Sequence, residues 1–233
     1  MNRGFYQGVA SMATYGRRLE SLANNLANVN TTGYKGTQSA TRSFAVPYAA
    51  DGRQQLKTTT LIDLSQGELR RTENTFDLAL YGPGFFAVES PQGEALTRGG
   101  SFRVDAAGVL QTPEGYPVAW DSSSGTIDGT GEAVSIGGDG SVRQGNREIG
   151  KLRLVDYTAP DRLRQMDAGY FYAPNNLEEA TFTGEVHQGA LEASNVSAFT
   201  ELVEMIQLQR SFQSMSRMIA NVKETYDRLA RSR

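Results

Sequence analysis

The sequence predicts an α+β protein in which amino- and carboxy-terminal coiled-coil-forming helices flank a mainly antiparallel all-β central domain. Three observations carry this prediction. An apolar seven-residue repeat runs through the start of the chain, a second runs through its end, and 15 of the 25 glycines fall between Gly82 and Gly150. Seven-residue repeats mark helices that seek other helices. Glycine-rich stretches broken by short apolar runs mark turns and short strands.

The first repeat comprises Phe5, Val9, Met12, Gly16, Leu19, Ala23 and Leu26, at alternating spacings of four and three. It predicts a helix from about Asn2 to Asn28, with Leu22 and Val29 widening the stripe. Asn24, Asn25 and Asn28 crowd the last turns, where asparagine is a mediocre helix former. An amide both donates and accepts hydrogen bonds. These three are therefore read either as solvated side chains or as groups that fix register between neighbouring helices. Gly33 supplies a stop.

The stretch from Thr31 to Gln66 has weak periodicity and reads as extended. Pro47 and Gly52 argue against a helix, and Leu61, Ile62 and Leu64 suggest a short strand. Residues 1–35 with 190–233 then form a terminal helical domain, 36–71 an extended linker and 72–189 a β-rich domain.

Within the β-rich part, Phe85 to Val88 reads as a strand, Pro91-Gln92-Gly93 as a turn and Ala95-Leu96 as the return. Asp105 to Gly108 and Pro113 to Gly115 are further turns. Gln144-Gly145-Asn146 closes a hairpin leading into Leu152, Leu154 and Tyr157. Asp121 to Glu132 reads as an exposed polar loop.

The second repeat comprises Met205, Leu208, Phe212, Met215, Ile219, Val222, Tyr226 and Leu229. Its helix starts near Ser197, with Glu201 and Glu204 at the positive end of the dipole and Arg228, Arg231 and Arg233 at the negative end. A helix with one apolar stripe is marginal alone, so the two stripes are expected to pair with helices, either each other or those of neighbouring copies. The candidate interface residues are Phe5, Val9, Met12, Leu19, Asn24, Asn25, Leu26 and Asn28 at the start. At the end they are Met205, Leu208, Phe212, Met215, Ile219, Val222 and Tyr226.

Composition narrows the function. The net charge of −3 does not suggest a nucleic-acid binder. With no cysteine and the single histidine His187, disulfides, thiolate sites and multi-histidine metal sites are excluded. No run approaches a membrane span, and the charged start, with Arg3, Arg17, Arg18 and Glu20, does not read as a secretory signal peptide. Gly82-Pro83-Gly84 precedes a strand-like run rather than a helix, so it reads as a turn and not a phosphate loop. His187 could pair with Asp167 in a hydrolase, but no nucleophile elbow accompanies it. No catalytic, cofactor or metal site is expected.

Several segments carry a resemblance to the flagellar rod and hook protein family, the axial proteins of the bacterial flagellum. Ala23-Asn24-Asn25-Leu26-Ala27-Asn28-Val29-Asn30-Thr31-Thr32-Gly33-Tyr34-Lys35 resembles its amino-terminal signature, and Gly189-Ala190-Leu191-Glu192-Ala193-Ser194-Asn195-Val196 its carboxy-terminal one. Glu204-Met205-Ile206 and Gln209-Arg210-Ser211-Phe212 extend the second. Asp77 to Phe86 and Thr97-Arg98-Gly99-Gly100-Ser101-Phe102 resemble the start of its β-domain. The signature positions singled out are Thr31, Gly33, Tyr34, Lys35, Leu191, Glu192, Ser194, Asn195, Val196, Gln209 and Arg210.

The resemblance implies a non-enzymatic subunit of the basal-body rod that polymerises into a helical drive shaft, helices inside and β-domain outside. It implies copies of itself, other rod proteins and hook or distal rod neighbours as partners. It also implies a place in the periplasmic rod, reached through the flagellar type III export apparatus without a cleaved signal peptide. No nucleic acid, small-molecule substrate or membrane span is implied. The short middle disfavours hook members, and the compact linker favours the proximal rod members, with distal ones second. The alternative readings are a distal rod or hook-type axial protein, or a non-flagellar coiled-coil/β adaptor such as a phage tail component.

Overall fold

The computed structural model describes residues 3–45, 54–122, 126–129, 131–166 and 169–231. The chain divides into two compact units, residues 1–27, 37–63 and 197–233 in the first and 28–36 and 64–196 in the second.

The first unit holds helix α1 (Arg3–Ala27), strands β1 (Thr37–Ala45) and β2 (Gln54–Ile62), and helix α2 (Ala198–Arg231). The two helices pack antiparallel. Arg18 reaches Glu204 at 3.1 Å, and Asn25, farther along α1, reaches Glu201, farther back on α2. Leu22 of α1 and Leu208 of α2 are the buried apolar residues of the two helices among the described side chains, and Met12, Leu19, Leu26, Met205, Met215, Ile219 and Val222 are half-buried. Phe212 is 41% exposed, and Gly16 and Ala23 face solvent. The side chains of Phe5, Val9 and Tyr226 lie outside the described ones. Glu224 and Arg228, four apart, form an ion pair at 2.6 Å in the favourable order.

The expected linker over 36–71 is different. It contains the hairpin β1–β2, with Thr37 opposite Ile62 and Ala45 opposite Gln54, and the hairpin packs on α1. Leu61 and Ile62 lie in β2; Leu64 does not. The threonine-rich segment Lys57 to Thr60 has strand propensity. Its polar composition, however, gives no apolar alternation that would betray a strand from sequence. Pro47 and Gly52 lie outside the described residues.

The second unit is almost wholly β. Its strands are β3 (Leu69–Arg71), β4 (Leu78–Tyr81), β5 (Phe85–Ser90), β6 (Gly93–Thr97), β7 (Arg103–Val104), β8 (Leu110–Gln111), β9 (Trp120–Ser122), β10 (Val134–Ile136) and β11 (Ser141–Gln144). They continue with β12 (Arg147–Leu152), β13 (Leu154–Tyr157), β14 (Arg164–Gln165), β15 (Tyr170–Tyr172), β16 (Glu179–Ala180), β17 (Glu185–Gln188) and β18 (Ala190–Glu192). A six-stranded sheet runs β14-β15-β6-β5-β13-β16 and a four-stranded sheet β10-β11-β12-β9; β17–β4, β18–β3 and β7–β8 form pairs. Every named pairing is antiparallel.

The core joins the two larger sheets through Phe86, Val88, Leu110, Val142 and Leu152, with Phe86 and Phe102 edge-to-face at 5.2 Å. The 121–132 loop departs from expectation. Ile127 is 2% exposed and belongs to the core, because its N–H donates to the Gly108 carbonyl at 2.8 Å and draws the loop inward. Residues 123–125 and 130 of that loop lie outside the described ones.

Candidate functional site: a buried ionic clasp

Burying a charge is costly unless it is paired and hydrogen-bonded. Among the described residues, the acidic and basic side chains buried in the second unit are Lys35, Asp77, Arg98 and Glu192, and three of them meet. Lys35 Nζ donates to Glu192 Oε1 at 2.6 Å and to the Ser65 carbonyl at 2.6 Å. Arg98 Nη1 donates to Glu192 Oε2 at 3.2 Å. The side chains of Lys35, Arg98 and Glu192 are 1%, 6% and 0% exposed.

Their remaining capacity is largely used. The Gly67 N–H donates to Glu192 Oε1 at 2.8 Å. Arg98 Nη2 donates to the Gly82 carbonyl at 2.7 Å, and its guanidinium lies 5.4 Å from the Phe85 ring centroid. Arg98 Nε makes no hydrogen bond among the described residues. Burial pulls the Arg98 guanidinium below its ordinary pKa, and Glu192 pulls it back.

Backbone placement sets these groups. Glu192 ends β18, paired opposite Leu69 of β3. Its carbonyl accepts from the Gly33 N–H at 2.7 Å. Gly33 has φ +67, and a Cβ there would run into the Arg98–Gly99 backbone, so only glycine fits. Asn195 adds a second layer. Its Oδ1 accepts from the Gly36 N–H at 2.9 Å, its Nδ2 donates to the Ser65 carbonyl at 3.1 Å, and its N–H donates to the Tyr34 carbonyl at 3.4 Å.

The clasp therefore ties together segments 31–36, 65–67 and 192–195, by which the chain enters and leaves this unit. Amino- and carboxy-terminal signatures, far apart in sequence, meet in one hydrogen-bonded set. Gly33, Tyr34, Lys35, Glu192 and Asn195 belong to it. Thr31 donates through Oγ1 to Asn28 Oδ1 at 3.2 Å, and Ser194 Oγ accepts from the Val196 N–H at 3.2 Å, shaping its edges. Leu191 pairs opposite Arg70. Gln209 and Arg210 lie exposed on α2, outside the set.

Arg98, Ser65 and Gly67 carry the site without having been assigned to it from sequence. Arg98 lies in the Thr97–Phe102 segment of the resemblance, but nothing in the sequence set it against Glu192.

The asparagines in the last turns of α1 and just after it separate. Asn25 is 3% exposed and spends its amide within its own chain. Its Oδ1 accepts from the Thr37 N–H at 2.8 Å, and its Nδ2 donates to the Thr37 carbonyl at 3.0 Å and to Glu201 Oε1 at 3.3 Å. It thus bonds the start of β1 as a neighbouring strand would. Asn28 bonds Thr31, and Asn24 is exposed. Burial pushes the Glu201 carboxyl above its ordinary pKa, opposed by the Asn25 hydrogen bond.

His187 packs edge-on to Tyr81 at 6.0 Å and lies 3.9 Å from Glu185; Asp167 lies outside the described residues. Among the described residues no group of acids, histidines or cysteines could hold a metal, and no helix is long and apolar enough to cross a membrane.

Three family descriptions match in chain order. Residues 6–35 match "Flagella basal body rod protein", 79–144 "Flagellar hook protein FlgE/F/G D1 domain" and 187–232 "Flagellar basal body rod FlgEFG protein C-terminal". The sequence is 35% identical to the flagellar basal-body rod protein FlgF of Caulobacter vibrioides over 96% of this chain and 95% of that one. It is 31% identical to FlgF of Rhizobium meliloti, covering 98% and 96%. Identity to the flagellar basal-body rod protein FlgG of Bacillus subtilis is 30%, covering 98% of each.

Proposed function

The chain belongs to the flagellar basal-body rod protein family and is a structural rod subunit, and from that premise we propose that it polymerises through α1 and α2 into a drive shaft that carries torque across the periplasm. Its partners are further copies and other rod proteins, and it reaches its place through the flagellar export apparatus. It performs no catalysis.

The observation that supports this reading is the apolar surface α2 leaves uncovered. Phe199 is 78% exposed, Ile206 51% and Phe212 41%. A single subunit gains nothing from wetting such side chains, whereas neighbouring subunits would bury them. The half-buried seam of Met205, Met215, Ile219 and Val222 would be completed by the same neighbours. Phe5, Val9 and Tyr226 fall on continuations of these seams and are assigned to the interface with them. The clasp serves this function from within. It fixes the segments through which the chain leaves the β-rich unit, and dense, fully bonded packing resists deformation under load.

The test is Ile206→Asp in a strain that lacks its own copy. The residue is exposed, so the isolated chain should keep its far-UV circular dichroism and its Trp120 fluorescence, while basal bodies lose the rod. Leu208→Asp is a poorer choice, since Leu208 is 6% exposed and its loss damages the single chain. Normal rods from the Ile206→Asp chain overturn the proposal.

A further inference from the structure

The uncovered apolar surface of α2 has a defined shape. Phe199, Leu202, Val203 and Ile206 follow the i, i+3, i+4, i+7 pattern of one helix face and are 78%, 45%, 38% and 51% exposed. By helical rotation this face lies nearly opposite Leu208, the residue α2 buries. The face continues beyond Ile206 as Arg210, Gln213 and Arg217, all exposed. Neither arginine makes an ion pair among the described residues.

Helix α1 presents a surface of opposite character. Its exposed positions Ala13, Gly16, Glu20, Ala23 and Ala27 recur at spacings of three and four, on the side away from buried Leu22 and Asn25. Four of the five have no side chain beyond Cβ. Glu20 makes no ion pair among the described residues.

Gly16 is the anomaly in this strip. Glycine is the poorest ordinary residue in a helix interior. Among the described residues nothing calls for it. A Cβ at Gly16 would meet no atom within 4 Å, and its φ is not in the left-handed region. A residue unfavourable to the helix and unnecessary to the packing of the single chain points to a surface that approaches from outside.

We propose that the Phe199–Ile206 face of α2 packs into the Ala13–Ala27 strip of α1 on a second copy of this chain. This rests on the reading that the subunits polymerise through their helices, and it names the faces that meet. Ile206 enters the shallow groove at Ala23, Leu202 and Val203 lie over Ala27, and the continuation of the face brings Gln213 over Gly16, where the missing side chain lets the two helices approach closely. The charges agree. With Ile206 over Ala23 and the helices antiparallel, Arg210, one turn on, lies beside Glu20. The two surfaces are different patches, so the contact is head-to-tail and continues as an open helical array rather than closing as a two-fold dimer.

The chain's lack of cysteine supplies the test. Full-length chains carrying Ala23→Cys and Ile206→Cys are mixed and mildly oxidised at their highest soluble concentration. The expected result is a mixed disulfide dimer in about tenfold excess over a control that pairs Ala23→Cys with Gln207→Cys, since Gln207 lies about a quarter-turn away on α2. Gly16→Leu in the Ala23→Cys chain should abolish the dimer while leaving helix content at or above that of the parent. Gly16→Ala should raise the melting temperature by about 2–4 °C. Equal cross-linking to both α2 positions, an absent cross-link, or a Gly16→Leu chain that still cross-links overturns the pairing. If the cross-link is absent and Ile206→Asp also abolishes rods, the pairing alone is wrong. If it is absent and Ile206→Asp builds normal rods, polymerisation through the helices fails with it.

Discussion

Replacing Glu192 by alanine tests the clasp by charge arithmetic. Two cations and one carboxylate meet there, for a net charge of +1. Glu192→Ala raises that to +2, with Lys35 1% and Arg98 6% exposed, and leaves the Gly67 N–H without its acceptor. Deleting one member of a buried pair costs about 3–5 kcal/mol, and here one deletion strands two cations, which places Glu192→Ala at the upper end. Lys35→Met acts in the other direction. It leaves a neutral Arg98–Glu192 pair and loses the bonds to Ser65 and Glu192, at about 1 kcal/mol each net, partly offset by removal of the surplus charge. Its cost should be about 1–2 kcal/mol. The assay is urea unfolding of the full chain followed at Trp120, the single tryptophan, which packs against the core of the same unit. With a slope of about 2 kcal/mol/M, the midpoint should fall by about 2 M for Glu192→Ala and by about 0.5–1 M for Lys35→Met. Equal losses from the two variants, or a Glu192→Ala midpoint unchanged from the parent, would refute the charge argument.

Three further outcomes are expected. Gly33→Ala meets both a positive φ and the Arg98–Gly99 backbone, and should lower stability by about 2 kcal/mol or more in the same unfolding assay. Asn25→Ala leaves the N–H and carbonyl of Thr37 without their partners; a loss of about 2–4 kcal/mol should appear in helix content on heating rather than at Trp120. Glu201 has its carboxyl pKa raised in the folded chain. The folded state then binds that proton more tightly than the unfolded state, so stability falls as pH rises from the ordinary glutamate range through the folded pKa. Glu201→Gln, which can still accept from Asn25, should therefore stabilise the first unit at neutral pH and lose that advantage in acid, as read by melting temperature against pH.

Much of the fold was legible because it obeys simple periods. The heptads of both ends gave α1 and α2, and turns at Pro91-Gln92-Gly93 and Gln144-Gly145-Asn146 gave the hairpins β5–β6 and β11–β12. The hairpin β1–β2 was hidden because its faces are polar, and period-2 burial has no apolar signal to read there. Ile127 was hidden because a loop rich in serine and glycine carried one apolar residue inward. At the site, the signatures showed which residues matter but not to what they bond. Lys35 and Glu192 are separated by most of the β-rich unit, and no local pattern pairs a lysine with a glutamate across that distance. Arg98 completes the set only because the segment after β6 runs back to the start of β4, where the Leu78 N–H donates to the Gly100 carbonyl at 2.9 Å.

The separation between clasp and exposed helix face has a physical consequence for how rods fail. The strongest sequence signatures sit on groups buried inside one unit, where substitutions act first on the folding of the single chain. The exposed face of α2 carries few of them, because a packing surface needs only bulk, apolarity and spacing, which several residues satisfy equally well. A variant at Glu192 and a variant at Ile206 can both leave a cell without rods, yet the first should do so by unfolding the subunit and the second by presenting a folded subunit with nothing to hold its neighbour. Soluble, protease-resistant chain would accumulate with Ile206→Asp and be degraded with Glu192→Ala. If both accumulate equally as folded protein, the clasp contributes to contacts between subunits and not to the integrity of one.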